Sequence, residues 1–216
     1  SPKGTQLEIP FGGKEKTAKP GFCIRRIYVD GILFSKAKKE VDTLEEFPVS
    51  EVIFEGGFAK GIKGKARDGR EMEIRAKIIV GADGTSSVVA QKAGVGKSRP
   101  EHQVIATRGY YKGVSGLGGN IELHFLDEVM PGYFWIFPMA NGMSNVGLGI
   151  LTSEKQKRKM DLKKLQEEVV QNHPVFKERF RNAKIDGQGI KVWTLPLGSG
   201  VAKKGSTASA GRARRA

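Results

Sequence analysis

The strongest constraint on how this chain can fold is one continuous run, Ala76-Lys77-Ile78-Ile79-Val80-Gly81-Ala82-Asp83-Gly84-Thr85-Ser86-Ser87-Val88-Val89-Ala90. Ile78, Ile79 and Val80 are all β-branched, which favours a strand, and a strand apolar on both faces belongs in a layered α/β domain that covers both. The run passes straight into a glycine turn and then into a helix expected over Ser86 to Ala93. Upstream, Val49 to Phe54, Ala59 to Arg67 and Met72 to Val80 read as strands, separated by the turn signals Gly56-Gly57 and Asp68-Gly69. The expected product is a β-meander whose third strand feeds the turn. Glycines there let backbone amides approach a bound group, the helix start favours phosphate, and Asp83 could accept from a ribose or ribityl hydroxyl. The same residues also suit a plain strand-to-helix turn with Asp83 as N-cap. On the residues alone both readings stand.

Around this segment the pattern is mixed. Residues 1–20 are polar, with a short apolar stretch from Leu7 to Phe11 that suggests a strand and loop. Asp30 to Lys39 reads as a helix with Ile32, Leu33 and Ala37 on one face. From His102 to Leu151 strand follows strand around a Gly113 to Gly119 loop, the clearest being Tyr133 to Pro138 and Asn145 to Ile150. Alternation puts Tyr133, Trp135 and Phe137 on one face and Phe134 and Ile136 on the other. An aromatic face suits an apolar ligand, or it fills a sheet core. Asp161 to Gln171 and Val175 to Phe180 read as helices, the second opened by Pro174, and Ile190 to Leu197 as a strand. Gly198 to Ala216 has almost no apolar anchor and is expected to be disordered.

Gly81-Ala82-Asp83-Gly84-x-x-Ser87-x-Val89-Ala90 resembles the second FAD fingerprint of the flavoprotein hydroxylases and geranylgeranyl reductases that share the p-hydroxybenzoate hydroxylase fold. Arg26-x-x-x-Asp30-x-x-Leu33 resembles the arginine and helix-opening aspartate that precede the meander in that superfamily, with Arg25 as a neighbouring candidate. Tyr133-Phe134-Trp135-Ile136-Phe137-Pro138 and Asn145-Val146-Gly147-Leu148-Gly149 resemble the substrate-domain strands of geranylgeranyl reductases. The resemblance implies an α+β fold: part of an α/β FAD domain over residues 21–98, and an antiparallel-sheet substrate domain over 1–20 and 99–197. It implies FAD contacts from Arg26, Gly81, Ala82, Asp83 and Gly84, and an isoprenoid pocket lined by Tyr133, Trp135 and Phe137. The reaction implied is hydride transfer from reduced flavin to a carbon–carbon double bond of a prenyl chain, with NAD(P)H or a ferredoxin-type donor upstream.

The departures are equally specific. The first fingerprint of the family, Gly-x-Gly-x-x-Gly after a strand, is absent, because Gly116, Gly118 and Gly119 are wrongly spaced and Gly187 and Gly189 lack a third glycine. The last, a Gly-Asp segment, is absent too. The likeness covers roughly residues 21–197, so the chain reads as an internal fragment, inactive alone, of an incomplete p-hydroxybenzoate hydroxylase-like fold. Ser1 and the lack of a leader fit a fragment or processed product. Two rivals remain: an aromatic hydroxylase of the same fold, and a non-catalytic basic binding module.

The basic module rests on a net charge of +14, from 37 basic and 23 acidic residues. Most of the excess sits between Lys155 and Lys184 on an expected helical surface and in the last residues, so a solvated face accounts for it, and nucleic acid is not expected as a partner. A membrane surface is the other use for such charge. Cys23 is the only cysteine, which points to a reducing, cytoplasmic setting. His102, His124 and His173 have no metal-ligand spacing, and neither a catalytic nucleophile nor a triad can be drawn. Gly94-Val95-Gly96-Lys97-Ser98 imitates the end of a phosphate loop, but Gln91 stands where that motif needs its first glycine.

Overall fold

The computed structural model describes residues 4–9, 21–94 and 100–197. The expected disordered tail from residue 198, most of the Gly94 to Ser98 segment and residues 10–20 lie outside that set. The chain divides into two compact units, one of residues 1–35 with 100–195 and one of 36–99 with 196–216.

In the second unit, β1 (Val49–Glu55), β2 (Phe58–Lys65) and β3 (Glu71–Arg75) form the expected antiparallel meander. Glu55 pairs with Phe58, so Gly56-Gly57 is a two-residue hairpin loop, and both glycines have positive φ, as such a turn requires. The second turn is closed locally, with the Arg70 amide donating to Asp68 Oδ1 at 3.0 Å. Cross-strand ion pairs lace the exposed face, among them Lys63 with Glu73 at 2.7 Å. Helix α2 (Val88–Lys92) packs against β1.

The third strand stops at Arg75, five residues short of the expected end. Ile78 and Val80 are 63% and 79% exposed, not buried. The register explains this. Gly61 pairs with Arg75, so a continuing β3 would reach the start of β2 at Phe58 when it reached Ile78. Beyond that point no described strand is there to pair with it, and apolar residues alone cannot make a strand without a partner for the backbone.

Helix α1 (Arg26–Ala37), in the first unit up to Ser35, starts four residues before the expected helix, and none of its residues is buried. Asp30 therefore lies in the second turn and does not open the helix. The sheet runs in the order β5 (Glu122–His124), β6 (Gly132–Pro138), β7 (Met143–Leu151), β4 (Gln103–Lys112), β8 (Lys184–Ile185), with β9 (Lys191–Pro196) also on β4. The pairs β5–β6, β6–β7, β7–β4 and β4–β8 are antiparallel.

One face of this sheet carries the core. Phe134 and Ile136 of β6 and Val146, Leu148 and Ile150 of β7 are essentially inaccessible, and Val169, Val170, Phe176 and Phe180 close over them. Leu162, Gln166, Val169 and Val170 recur at helical spacing in α4 (Leu162–Asn172), which Asp161 caps by accepting from the Lys163 and Lys164 amides. Short helices α3 (Thr152–Lys157) and α5 (Lys177–Phe180) flank it. Nothing in the local pattern marks α3 in advance.

Candidate functional site

The glycine turn follows β3 and leads into α2. Asp83 uses both carboxylate oxygens within its own segment. The Ser87 hydroxyl donates to Oδ1, and the Val88 and Val89 amides donate to Oδ2 at 2.7 and 3.3 Å. The Ser87 bond and then these amides hold the Asp83 carboxyl below the usual carboxylate range. Ser87 is itself the N-cap of α2, accepting from the Ala90 amide at 2.9 Å. Gly81 has a packing reason to be glycine, since a Cβ there would stand 2.7 Å from Val89. Gly84 is different. Its φ is +79° and nothing lies within 4 Å of where a Cβ would be, so its surface is open. For a flavin, the turn thus offers Ala82, the open side of Gly84 and the unused acceptor capacity of Asp83: exposed contacts, without a buried orphaned donor or a closed cradle.

Arg26 lies in the other unit, with its side chain 82% exposed and its Nε 2.9 Å from Asp30 one helical turn on. Arg25 is not equivalent to it. Its guanidinium pairs with Asp186 and lies 4.1 Å above the centre of the Tyr110 ring.

Tyr133, Trp135 and Phe137 are brought together on the face of the first unit's sheet opposite the core. Ring centres are 5.9 Å apart from Tyr133 to Trp135 and 6.0 Å from Trp135 to Phe137, and Phe125 extends the row 6.2 Å beyond Tyr133. Tyr133 is 40% exposed, whereas its neighbours Phe134 and Ile136 are fully buried. The row therefore does not fill the core. It is an apolar surface along β6, widened by exposed Leu123 on β5.

Glycines make that surface flat. Gly147 and Gly149 of β7 pair with Trp135 and Tyr133. A Cβ on Gly147 would stand 2.1 Å from the Thr107 carbonyl oxygen and 2.4 Å from the Trp135 indole. The indole therefore lies across bare backbone. Its Nε1–H donates to Asn145 Oδ1 at 3.1 Å, which fixes the ring's orientation and satisfies its one polar atom.

Phe125, Arg108 and Tyr110 were not picked out in the sequence. Tyr110 pairs with Asn145, which pairs with Phe137, so the three sit side by side on neighbouring strands. Arg108 lies 4.4 Å over the same Tyr110 ring that Arg25 covers. An arginine inside the largely buried strand Gln103–Lys112 was the available signal. Among the described residues no group of three or more His, Cys, Asp or Glu side chains could hold a metal ion. Nor is any described helix long and apolar enough to cross a membrane.

Residues 119–189, which carry the aromatic row and the helices behind it, match the geranylgeranyl reductase catalytic domain. The chain is 31% identical over 166 residues to a digeranylgeranylglycerophospholipid reductase of Methanosarcina acetivorans, an alignment covering 73% of this chain and 40% of that protein. The chain thus spans about two fifths of the curated relatives it matches. Among solved structures it is similar to a geranylgeranyl bacteriochlorophyll reductase-like protein of Thermoplasma acidophilum, with a TM-score of 0.67 and 21% identity over 79% of this chain and 42% of that one. It is also similar to a flavin-dependent brominase, with a TM-score of 0.65 and 24% identity over 79% of this chain and 44% of the other. At those identities the likeness establishes the fold alone.

Proposed function

We propose, from the premise that this chain carries a segment of the geranylgeranyl reductase family, that the whole protein is a flavin-dependent reductase of carbon–carbon double bonds in a prenyl chain. The observation that carries the reading is the aromatic row itself: Phe125, Tyr133, Trp135 and Phe137 at regular spacing on the face that the core leaves free. A prenyl chain offers a protein little but apolar surface, and a row of four neighbouring rings matches it along its length. The glycine floor lets the indole lie across bare backbone, and the Asn145 bond fixes its orientation.

FAD is the cofactor in this reading, and hydride delivery to the double bond is the chemistry it supplies when bound and reduced. Ala82, Asp83 and Gly84 are its contacts from the glycine turn. Gly81 supports them indirectly by letting the turn close on Val89. Saturating the double bond takes up one proton besides the hydride. The task of Tyr133, Trp135 and Phe137 is to hold the substrate and exclude water. Reducing equivalents come from NAD(P)H or a ferredoxin-type donor. The lipid character of such a substrate and the basic residues between Lys155 and Lys184 support a working position in the cytoplasm beside a membrane surface.

The test is direct binding of a prenyl alcohol. With Trp193→Phe, Trp135 is the sole indole, and geranylgeraniol should change its fluorescence saturably. Tyr133→Ala and Phe137→Ala should each weaken binding about tenfold, as loss of a buried aromatic contact implies. Saturable binding that ignores both substitutions would move the substrate elsewhere.

A further inference from the structure

The aromatic row has one polar end. Arg108 and Arg25 both lie over the Tyr110 ring, at 4.4 and 4.1 Å from its centre. Cation–π contact orders each guanidinium but does not neutralise it. One carboxylate serves both: it is in ion-pair contact with Arg25 and reaches Arg108 only through its longer-range field. Asp186 pairs with Arg25, receives the Gln188 amide at 2.9 Å, and is positioned by its own amide donating to the Tyr110 carbonyl at 2.8 Å. Among the described residues no carboxylate lies in ion-pair contact with Arg108. Two like charges gathered on one ring against a single counter-charge leave the cluster in want of an anion.

The register ties this cluster to the row. Ala106 pairs with Gly149 and Gly109 with Val146, which brings Arg108 level with Gly147, and Gly147 pairs in turn with Trp135. Gly147 has no side chain to stand between Arg108 and the indole along that line. Tyr110 shares its register line with Asn145 and Phe137. The cationic pair therefore flanks the Trp135–Phe137 end of the row, and the Tyr133–Phe125 end continues away from it.

We infer that Arg108, with Arg25 held beside it by Asp186, is an anchor for the phosphate ester of an amphiphilic substrate whose prenyl chain lies along the aromatic row. The anchor gives the chain a direction: the phosphate sits beside Phe137 and Asn145, and the distal prenyl units pass over Tyr133 towards Phe125. Arginine suits the role, because its planar fork matches phosphate oxygens while its face rests on an aromatic ring. The inference rests on the prenyl-binding reading above and adds to it the headgroup and the polarity.

In the Trp193→Phe chain, Trp135 fluorescence is titrated with geranylgeraniol, geranylgeranyl phosphate and inorganic phosphate. The prenyl phosphate should bind roughly tenfold or more tighter than the alcohol, the usual scale of a charge-assisted hydrogen bond. Arg108→Gln should close that gap and leave the alcohol's affinity unchanged, while Arg108→Lys, which keeps the charge, should retain part of it. Rising salt should weaken the phosphate arm alone. Equal affinities in the Arg108 protein, a gap that survives Arg108→Gln, or a phosphate arm indifferent to salt would each overturn the anchor while the prenyl reading stood. Inorganic phosphate binding as tightly as the prenyl phosphate would make the cluster a free-phosphate site and overturn the amphiphile. Failure of both prenyl ligands to bind would overturn both proposals. Should Arg108→Gln fail to fold, as judged by circular dichroism, the lysine variant and the salt dependence decide the matter.

Discussion

Arg179 grips Glu122 through both terminal guanidinium nitrogens, each 2.7 Å from a carboxylate oxygen. The same arginine donates to the Ser115 and Gly116 carbonyls at 3.0 and 3.2 Å, so one side chain of α5 holds both the edge strand β5 and the loop after β4. Burial by itself would raise the Glu122 carboxyl, but the Arg179 fork and the His124 contact outweigh it and hold it at about 2. This fork sits behind the aromatic row, because Leu123, next to Glu122, pairs with Trp135.

The sign of its pH dependence follows. A carboxyl depressed from its ordinary value near 4.5 to about 2 contributes stability that is complete above 4.5 and lost as pH falls towards 2. Glu122→Gln should cost about 2 kcal/mol at pH 7, the scale of charge-assisted hydrogen bonds. In urea unfolding measured from pH 7 to 3, the difference between the two proteins should shrink below about pH 4.5. A difference that stayed constant through that range would mean the fork contributes no net charge stabilisation.

The two faces of β6 should respond in opposite ways. Phe134→Ala removes a fully buried ring beside Phe176 and should cost about 3–5 kcal/mol. Tyr133→Ala, on the free face, should cost under about 1 kcal/mol while still impairing prenyl-alcohol binding. Chemical denaturation and the fluorescence titration, run on the same pair of variants, separate the contributions to core and ligand.

Gly147→Ala should be among the most damaging single-methyl changes in this sheet. The added carbon meets backbone on one side and the indole on the other, so neither neighbour yields by a simple rotation. A loss of about 2–3 kcal/mol is expected from overpacking, with a shifted Trp135 emission as the indole is lifted. Gly149→Ala, whose nearest contact would be 3.3 Å from a Val104 methyl, should be milder.

Asp83→Asn should destabilise α2 whether or not a cofactor is present. The carboxylate serves the Val88 and Val89 amides and the Ser87 hydroxyl that caps the helix, and weakening these bonds costs about 1 kcal/mol. Thermal unfolding of this chain alone should show the loss. If the melting temperature were unchanged, Asp83 would have no local role and its place in the turn would need a ligand to explain it.

Much of this was legible in the sequence, for a reason that can be stated residue by residue. The Gly56-Gly57 hairpin needs only backbone freedom at two adjacent positions, and the split of Tyr133, Trp135 and Phe137 from Phe134 and Ile136 needs only the period of a strand. The Asp161 cap of α4 is equally local. Where the reading went astray, the missing information was not local. Ile78 to Val80 look like a buried strand, but burial requires a neighbour and the register of β2 runs out before them. Asp30 looks like a helix start, but the helix begins at Arg26 and uses Asp30 as a partner one turn on.

By itself, then, the order of residues determined the meander, the strand with two unlike faces and the turn that Asp83 closes, because each depends on groups a few positions apart. Only the tertiary structure decided which side of β6 is free. It alone gathered Arg25, Arg108, Tyr110 and Asp186, which come from three distant stretches of chain, on one ring. A charge cluster of that kind is created by strand register, and register is an energy difference between whole pairings of strands, not a property of any short run of sequence.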